Sequence, residues 1–368
     1  MNIRRIFAAL LGSVVVGGIA SCGGGGGGGA GTTTYTVGGT LAGSVGSVTL
    51  RLNGANDLVV ANSGSFTFPA GVAYLANYAV TVSNSAQKCN VQNGSGTMGT
   101  ANVTNVTVTC TTVIRSAILN GASENPPNAS TATGRGAVIV NPTTLEITGG
   151  ITFSGVVATN QHIHQAPPGN PTGNGGVLVG LTLAPDGTTA TVPAGTVLTA
   201  AQYTALLAGE LYFNVHSANN LCPPAATCAA GEIRGQINIQ GGVEAGLATL
   251  NAAQEVPPGT SAATGRGTVV VDSATGQVLI GYTTHNVGAN TSNAHIHLGA
   301  TGVSGGVRLP LAFGATIATA AQGAIMPASD ITALTAGNLY FNVHSTNNLC
   351  APAATCGAGE IRGQITPQ

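Results

Sequence analysis

The sequence LYFNVH occupies Leu211–His216 and returns unchanged at Leu339–His344. Alternate side chains of a β-strand point to opposite faces. In each copy the leucine, phenylalanine and valine therefore share one face, and the tyrosine, asparagine and histidine share the other. The pattern predicts a strand whose apolar side lies on a core and whose polar side carries a histidine.

Further motifs repeat around these two strands in the same order. A His-Ile-His triplet precedes each copy, at 162–164 and 295–297, and Gly-Glu-Ile-Arg-Gly-Gln follows it, at 231–236 and 359–364. Upstream, Glu-x-Pro-Pro begins at Glu124 and again at Glu255, which is 255 minus 124, or 131, residues later. Thr-Gly-Arg-Gly then follows in both units. A period of this length indicates a duplicated domain rather than a solenoid repeat.

Composition favours β-structure along the whole chain. Charged residues make up only 6% of the 368 residues, glycine accounts for 56 of them, and Lys88 is the only lysine. Valine and threonine favour strands, while glycine and asparagine favour turns. We predict a mainly all-β protein, with an N-terminal immunoglobulin-like β-sandwich followed by two tandem β-sandwich or barrel-like domains. The predicted segments are a signal peptide (1–21), a glycine-rich tether (22–32), the sandwich (33–112) and the two repeated domains (113–240 and 243–368).

One short helix is expected in each repeated domain. In the first, Thr199 and Gln202 form a capping box for a helix over Ala200–Ala208, and Gly209 fits the C-terminal stop. In the second, the expected cap is Ser329 or Asp330 and the expected stop is Gly337.

The N-terminus predicts an export signal that ends in a lipid anchor. Arg4 and Arg5 precede an apolar stretch, 6–20, that is too short and too rich in glycine for a membrane span. It ends in Ile-Ala-Ser-Cys, which resembles the lipobox of bacterial lipoproteins, in which the cysteine is lipidated. Cys22 is therefore the expected lipidation site, and an ordinary signal peptide is the alternative. A glycine run follows as a flexible tether, and the expected location is the cell envelope, at the outer membrane where the organism has one.

The motifs of the repeated units resemble those of the CHRD family, a domain named after chordin that also occurs in many bacterial exported proteins. The carrying residues are the Glu-x-Pro-Pro, Thr-Gly-Arg-Gly, His-Ile-His, LYFNVH and Gly-Glu-Ile-Arg-Gly-Gln motifs. The resemblance implies a β-rich domain whose function is poorly defined. In animal chordin these domains belong to a protein that binds growth factors, which is not expected of a bacterial lipoprotein. The chain departs from the family by inserting a loop with two cysteines before each Gly-Glu-Ile-Arg motif.

The six cysteines other than Cys22 fall into local pairs, which is typical of disulfides in an exported chain. Free thiols are the alternative. A zinc site made of these cysteines is not expected, because each unit offers only two thiolates. The expected disulfides are Cys89–Cys110, Cys222–Cys228 and Cys350–Cys356.

Two sets of three histidines are candidate metal sites. Both imidazoles of a His-x-His strand lie on one face, and the third histidine joins them if this strand neighbours the LYFNVH strand. Three neutral imidazoles suit copper or zinc, and Glu232 and Glu360 are candidates for orienting an imidazole. The alternative is a structural cluster in which histidine, tyrosine and asparagine hydrogen-bond one another. The sets are His162, His164 and His216, and His295, His297 and His344.

The few charged residues beside the motif glycines are expected to form structural ion pairs. A half-buried arginine–glutamate pair would fix strand register, and this interpretation is favoured over anion binding. The candidates are Glu124 with Arg135 or Arg234, Glu232 with either arginine, and their counterparts Glu255, Arg266, Glu360 and Arg362.

No catalytic motif accompanies these features, because the chain lacks Gly-x-Ser-x-Gly, a phosphate loop and paired catalytic acids. A net charge of −1 without a basic cluster argues against nucleic acid as a partner. We expect a lipid-anchored binding or structural module, not an enzyme, whose partner is an unknown protein or small ligand. The alternative is a copper- or zinc-binding protein with one site per repeated domain, and no other cofactor is implied. A dismutase-type redox enzyme is a third hypothesis, and it would use His285 as a fourth histidine of the second domain.

Overall fold

The described chain is built mainly from β-strands, as predicted, and forms three units. The computed structural model describes residues 32–84, 87–219, 231–238, 242–347 and 359–368. No helix within these ranges combines the length and apolar character that a membrane crossing requires. The predicted signal peptide, most of the tether and five cysteines lie outside the described residues: Cys22, Cys222, Cys228, Cys350 and Cys356.

The N-terminal unit is a small β-sandwich, which confirms the prediction. Its strands are β1 Thr34–Tyr35, β2 Val37–Ala42, β3 Val48–Leu52, β4 Asn56–Val60, β5 Gly64–Thr67, β6 Val72–Ala73, β7 Asn77–Asn84, β8 Gln87–Gln92, β9 Ser95–Thr97 and β10 Val103–Asn120. One layer has the order β4-β3-β7-β9, and the other is formed by β5, β2, the first half of β10 and β8. Apolar side chains of both layers, among them Leu50 and Val108, fill the space between them. The predicted disulfide Cys89–Cys110 is confirmed and joins two neighbouring strands.

The second unit is an antiparallel barrel that begins with the last residues of β10. Its strands are β11 Thr133–Val140, β12 Ile147–Ser154, β13 Ala158–Gln165, β14 Gly176–Gly180, β15 Thr182–Leu183, β16 Thr189–Thr191, β17 Leu211–Ser217 and β18 Ile233–Gln236. They follow the order β14-β13-β17-β18-β10-β11-β12-β16-β15. The two ends of this order, β14 and β15, follow each other along the chain with only Leu181 between them, so the ring of strands closes. Buried side chains such as Ile151, Phe153 and Phe213 fill its interior, as expected for a barrel of this size.

The third unit repeats this barrel. Its strands are β19 Val243–Asn251, β20 Thr264–Asp272, β21 Val278–His285, β22 Thr291–Leu298, β23 Val307–Phe313, β24 Ile317–Ala320, β25 Leu339–Ser345, β26 Ile361–Gln364 and β27 Thr366–Pro367. The order β20-β21-β24-β23-β22-β25-β26-β19 closes through a pairing between β19 and β20. Phe341, Val343 and their neighbours fill the interior.

Within the described residues each barrel carries one short α-helix, as predicted. In α1, Ala200–Leu207, the Thr199–Gln202 capping box is formed, and Gly209 follows with a φ of 72°. Glycine adopts this left-handed conformation without strain. The cap expected for the second helix is wrong. The helix α2, Ala328–Thr335, begins after Pro327 without a side-chain cap, because Ser329 and Asp330 already lie in its first turn.

The two barrels pack against each other through an apolar interface. Ile280 is completely buried there, and the Tyr282 hydroxyl lies 2.9 Å from the Thr148 hydroxyl of the first barrel. Lys88 of the sandwich forms an ion pair with Glu244 of the second barrel. The interface residues are Ile114, Ala137 and Ile139 of the first barrel and Ala245, Val270, Leu279, Ile280 and Tyr282 of the second.

Candidate functional site

The histidine triplet and the LYFNVH strand are neighbours in each barrel. In the first, β13 pairs with β17 in antiparallel register, with His162 opposite Asn214 and His164 opposite Tyr212. Ile163 and the apolar side chains of β17 belong to the barrel core. Since side chains alternate along a strand, the polar side chains lie on the outer surface of the barrel. The apolar face of β17 therefore lies on the core and its polar face carries the histidine, as predicted from the sequence.

Each barrel brings its three predicted histidines together. In the first, the ring centroids are 5.3 Å apart for His162–His164, 5.2 Å for His162–His216 and 5.7 Å for His164–His216. In the second, the corresponding distances are 5.3, 5.3 and 6.0 Å. One ring nitrogen from each histidine of a set lies within 4.8 Å of those of the other two. This spacing suits three ligands of a single metal ion.

A backbone carbonyl fixes the tautomer of the central histidine. His164 Nδ1 lies 3.0 Å from the Gly175 carbonyl oxygen, which accepts only, so Nδ1 carries the proton and Nε2 keeps its lone pair. The Gly175 amide donates to the Tyr212 hydroxyl at 3.0 Å. Only glycine fits here, because a Cβ on Gly175 would lie 1.6 Å from the Gln165 carbonyl oxygen. Gly305 holds His297 in the same way, at 2.9 Å.

Among the residues that the structure describes, three ring nitrogens in each set are buried without a hydrogen-bond partner. In the first barrel they are His162 Nδ1, His164 Nε2 and His216 Nε2, and the second barrel has the same three atoms. Burial, together with the two other imidazoles, lowers the pKa of His216 to about 4, and the pKa of His344 is lowered to about 4 for the same reasons. Burial also lowers the pKa of His164. Neutral imidazoles with free lone pairs are the form that binds a metal ion.

An arginine and a tyrosine lie behind the central histidine. The Tyr212 ring stacks on His164, with centroids 5.1 Å apart and an interplanar angle of 11°. Arg234 places its Cζ 3.4 Å from the centroid of the same tyrosine ring. The guanidinium donates to the carbonyl oxygens of Pro171 and Gly173 at 2.8 and 3.1 Å. The loop over 166–175 is thereby fastened against the histidine set.

The direct ion pairs expected for Glu124 are not formed in the part of the chain that the structure describes. Asn214 Nδ2 lies 3.2 and 3.3 Å from the two carboxylate oxygens, so an amide partners Glu124 in place of Arg135 or Arg234. Burial raises the pKa of Glu124 to about 7, although Asn214 and the more distant Arg234 oppose this shift. Asn342 contacts Glu255 at 3.2 Å in the second barrel. Within the described ranges no carboxylate lies within 4.0 Å of the Arg135 guanidinium.

The remaining expected pairs are also replaced by other partners. Glu232 accepts from the Ser130 hydroxyl at 2.7 Å and from Asn219 Nδ2 at 3.0 Å, so it does not orient an imidazole. Glu360 has the equivalent pair of donors, Ser261 and Asn347. Arg266 pairs with Glu146 of the first barrel at 2.6 Å and not with Glu255. Arg362 donates to the Ala300 carbonyl oxygen at 2.9 Å.

His285 lies apart from the second histidine set. It occupies the end of β21 opposite Gly265, as Phe153 lies opposite Gly134 in the first barrel. It is 6% exposed, and neither ring nitrogen has a hydrogen-bond partner in the part of the chain that the structure describes. The fourth ligand required by the dismutase hypothesis is therefore not supplied by His285.

Sequence reasoning missed the glycine and tyrosine that position the central histidine. A signal was present, because Gly-Gly-Val follows each histidine triplet and the tyrosine recurs in each LYFNVH copy. The contact could not be read from these motifs, since the carbonyl that orients His164 lies 11 residues away on the loop between β13 and β14.

Comparison with protein families agrees with this architecture. The family model of the CHRD domain matches residues 115–237 and 247–365, which together make up more than half of the chain. Comparisons with curated proteins and with solved structures found no significant match. The chain therefore belongs to the CHRD domain family and carries two of these domains in tandem.

Proposed function

We propose that this protein binds copper or zinc, with one three-histidine site in each CHRD domain. The observation that carries the proposal is the set of three buried ring nitrogens that have no partner in the described part of the chain, and this set recurs atom for atom in both barrels. A metal ion would supply the missing partner of all three. The Gly175 and Gly305 carbonyls already fix the tautomer that leaves Nε2 available for coordination.

A purely structural histidine cluster explains this geometry less well. Buried polar atoms in folded proteins nearly always have a hydrogen-bond partner. Leaving one unsatisfied costs about 1–3 kcal/mol, and each described histidine set has three such nitrogens. The imidazoles do not satisfy one another, since the described contacts among them are ring contacts and not hydrogen bonds. The free lone pairs therefore favour a ligand over a framework role.

Elemental analysis of the purified protein tests the proposal, provided that no metal-affinity column is used. We expect about two equivalents of copper or zinc per chain, falling to one in the His295→Ala/His297→Ala variant. His285→Phe is the matched control, because it removes a histidine outside both sets and installs the first barrel's residue. It should retain two equivalents. A wild-type protein that binds no metal after reconstitution would disprove the proposal.

A binding module for a small ligand is the second candidate, and a cleft between the barrels favours it. A cavity of about 750 Å³ is lined by both barrels, with Leu183 and Val192 on one side and Arg266 and Ile317 on the other. Its volume lies within the range of small-molecule sites. This role does not require turnover, and it is compatible with metal binding on the outer surface of each barrel.

The proposed location is the cell envelope, with the chain anchored through a lipid on Cys22. The apolar leader ending in Ile-Ala-Ser-Cys and the glycine run that follows support this proposal. Metabolic labelling of an expressing bacterium with a palmitate analogue should mark the wild-type protein and not Cys22→Ser. Label retained by Cys22→Ser would refute lipidation at this residue.

A further inference from the structure

The ligand set of each site carries no negative charge. Within the described ranges, both metal-compatible groups consist of histidines alone. The motif carboxylates do not belong to either group: Glu232 accepts from Ser130 and Asn219, and Glu124 accepts from Asn214. A metal ion bound by three neutral imidazoles therefore keeps its full charge at a half-buried position.

A fixed positive charge lies one aromatic ring away from the central ligand. The Arg234 side chain is 1% exposed and places its Cζ 3.4 Å from the centroid of Tyr212, whose ring stacks on His164. A guanidinium stays protonated at any physiological pH. The Glu124 carboxylate neutralises the positive charge of Arg234 only in part near pH 7, because burial raises the pKa of Glu124 to about 7.

The second barrel repeats this arrangement. Arg362, 2% exposed, lies 3.5 Å from the centroid of Tyr340, and that ring stacks on His297 with centroids 5.0 Å apart. The barrels have diverged elsewhere, for example where Phe153 of the first corresponds to His285 of the second. The arginine–tyrosine–histidine stack has been kept in both copies of the domain.

These charges favour a cation of low charge. Burial penalises a divalent ion more than a monovalent one, and a neighbouring guanidinium adds repulsion. One additional unit charge at roughly 8 Å from the guanidinium, at an effective dielectric constant of about 20, weakens binding on the order of thirtyfold. Imidazole ligands suit copper, and zinc lacks a monovalent state. We propose that each three-histidine site selects copper as Cu(I), with Arg234 and Arg362 disfavouring the divalent state; this inference rests on the proposed metal-binding function.

The experiment measures the preference for Cu(I) over Cu(II) at one site. The His295→Ala/His297→Ala background leaves only the first site, and Cu(I) affinity is measured anaerobically without thiols by competition with a chromophoric Cu(I) chelator. Cu(II) affinity is measured by competition with an amino-acid chelator. We expect the bound copper to have a reduction potential above that of aqueous copper. Each tenfold preference for Cu(I) raises this potential by about 59 mV.

Arginine variants identify the source of the preference. Arg234→Gln removes the charge, Arg234→Lys retains it, and both remove the guanidinium contacts with Pro171 and Gly173. We expect Arg234→Gln to lower the ratio of Cu(I) to Cu(II) affinity at least tenfold relative to Arg234→Lys. Circular dichroism of the two variants checks that both fold. The reduction potential of copper bound to the wild-type protein tests the inference without any arginine variant.

Two failures can be told apart. A reduction potential of the bound copper below that of aqueous copper would overturn the choice of Cu(I) and leave metal binding intact. Equal ratios of Cu(I) to Cu(II) affinity in Arg234→Gln and Arg234→Lys would do the same. Absence of copper and zinc binding in every state overturns both this inference and the proposed function.

Discussion

At the scale of single residues, Glu124 makes stability depend on pH. Its folded-state pKa of about 7 lies above the usual value of 4.5, so the folded state favours the protonated form. The stabilisation is complete below pH 4.5 and is lost as pH rises through 7. The shift corresponds to about 3 kcal/mol. Glu124→Gln should therefore leave stability nearly unchanged at pH 4.5 and raise it at pH 8.5.

Urea unfolding at these two pH values measures this effect. Glu255→Gln is the internal replicate, because burial raises the pKa of Glu255 to about 7 beside Asn342. The depressed pKa values of His216 and His344 act in the opposite direction below pH 6.5. These histidines are present in all variants, so their contribution cancels in the difference in unfolding free energy between variant and wild type. A difference between variant and wild type that is the same at both pH values would contradict the prediction.

His285 offers a second test at the residue scale. Both of its ring nitrogens are buried and have no partner among the described residues, at a position where the first barrel has Phe153. Burying unsatisfied polar atoms costs about 1–3 kcal/mol. We expect His285→Phe to raise the midpoint of thermal unfolding, and the reciprocal Phe153→His to lower it. A lower midpoint in His285→Phe would indicate that His285 has a partner in solution.

At the scale of secondary-structure elements, the two helices differ in how they begin. Thr199 caps α1 with a capping box, whereas α2 follows Pro327 without a side-chain cap. Thr199→Ala should cost about 1 kcal/mol, and Ser329→Ala should cost almost nothing because Ser329 caps no helix. Denaturant unfolding monitored by circular dichroism compares the two variants. Equal losses would show that the α1 cap contributes little.

The same elements show what sequence could and could not reveal. Alternation in LYFNVH placed His216 on the face opposite Phe213, because strand period is a local property. The position of His285 inside a barrel and the Asn214–Glu124 contact were not predictable, since both depend on which distant strands become neighbours. Glu124 and Asn214 are 90 residues apart in sequence. The cap of α2 failed for a local reason, as Ser329 and Asp330 are also acceptable in a first helical turn.

At the scale of the whole molecule, each barrel closes on itself, so the contact between barrels depends on side chains. The barrels meet through apolar residues at their interface, where Ile280 is completely buried. Tyr282 adds a hydroxyl contact to Thr148. The interface should make the two barrels unfold as one cooperative unit, which predicts a single calorimetric transition for both.

Replacing Ile280 with aspartate tests this coupling. A carboxylate buried without a partner costs several kcal/mol, so Ile280→Asp should split the transition or lower its midpoint strongly. Ile118→Asp is the matched control, because Ile118 is 49% exposed on β10 and should tolerate the charge. Metal stoichiometry should remain at two in both variants, since each histidine set lies within one barrel. Similar melting of the two variants would mean that the barrels do not share this interface in solution, while metal loss in Ile280→Asp would mean that the sites depend on it.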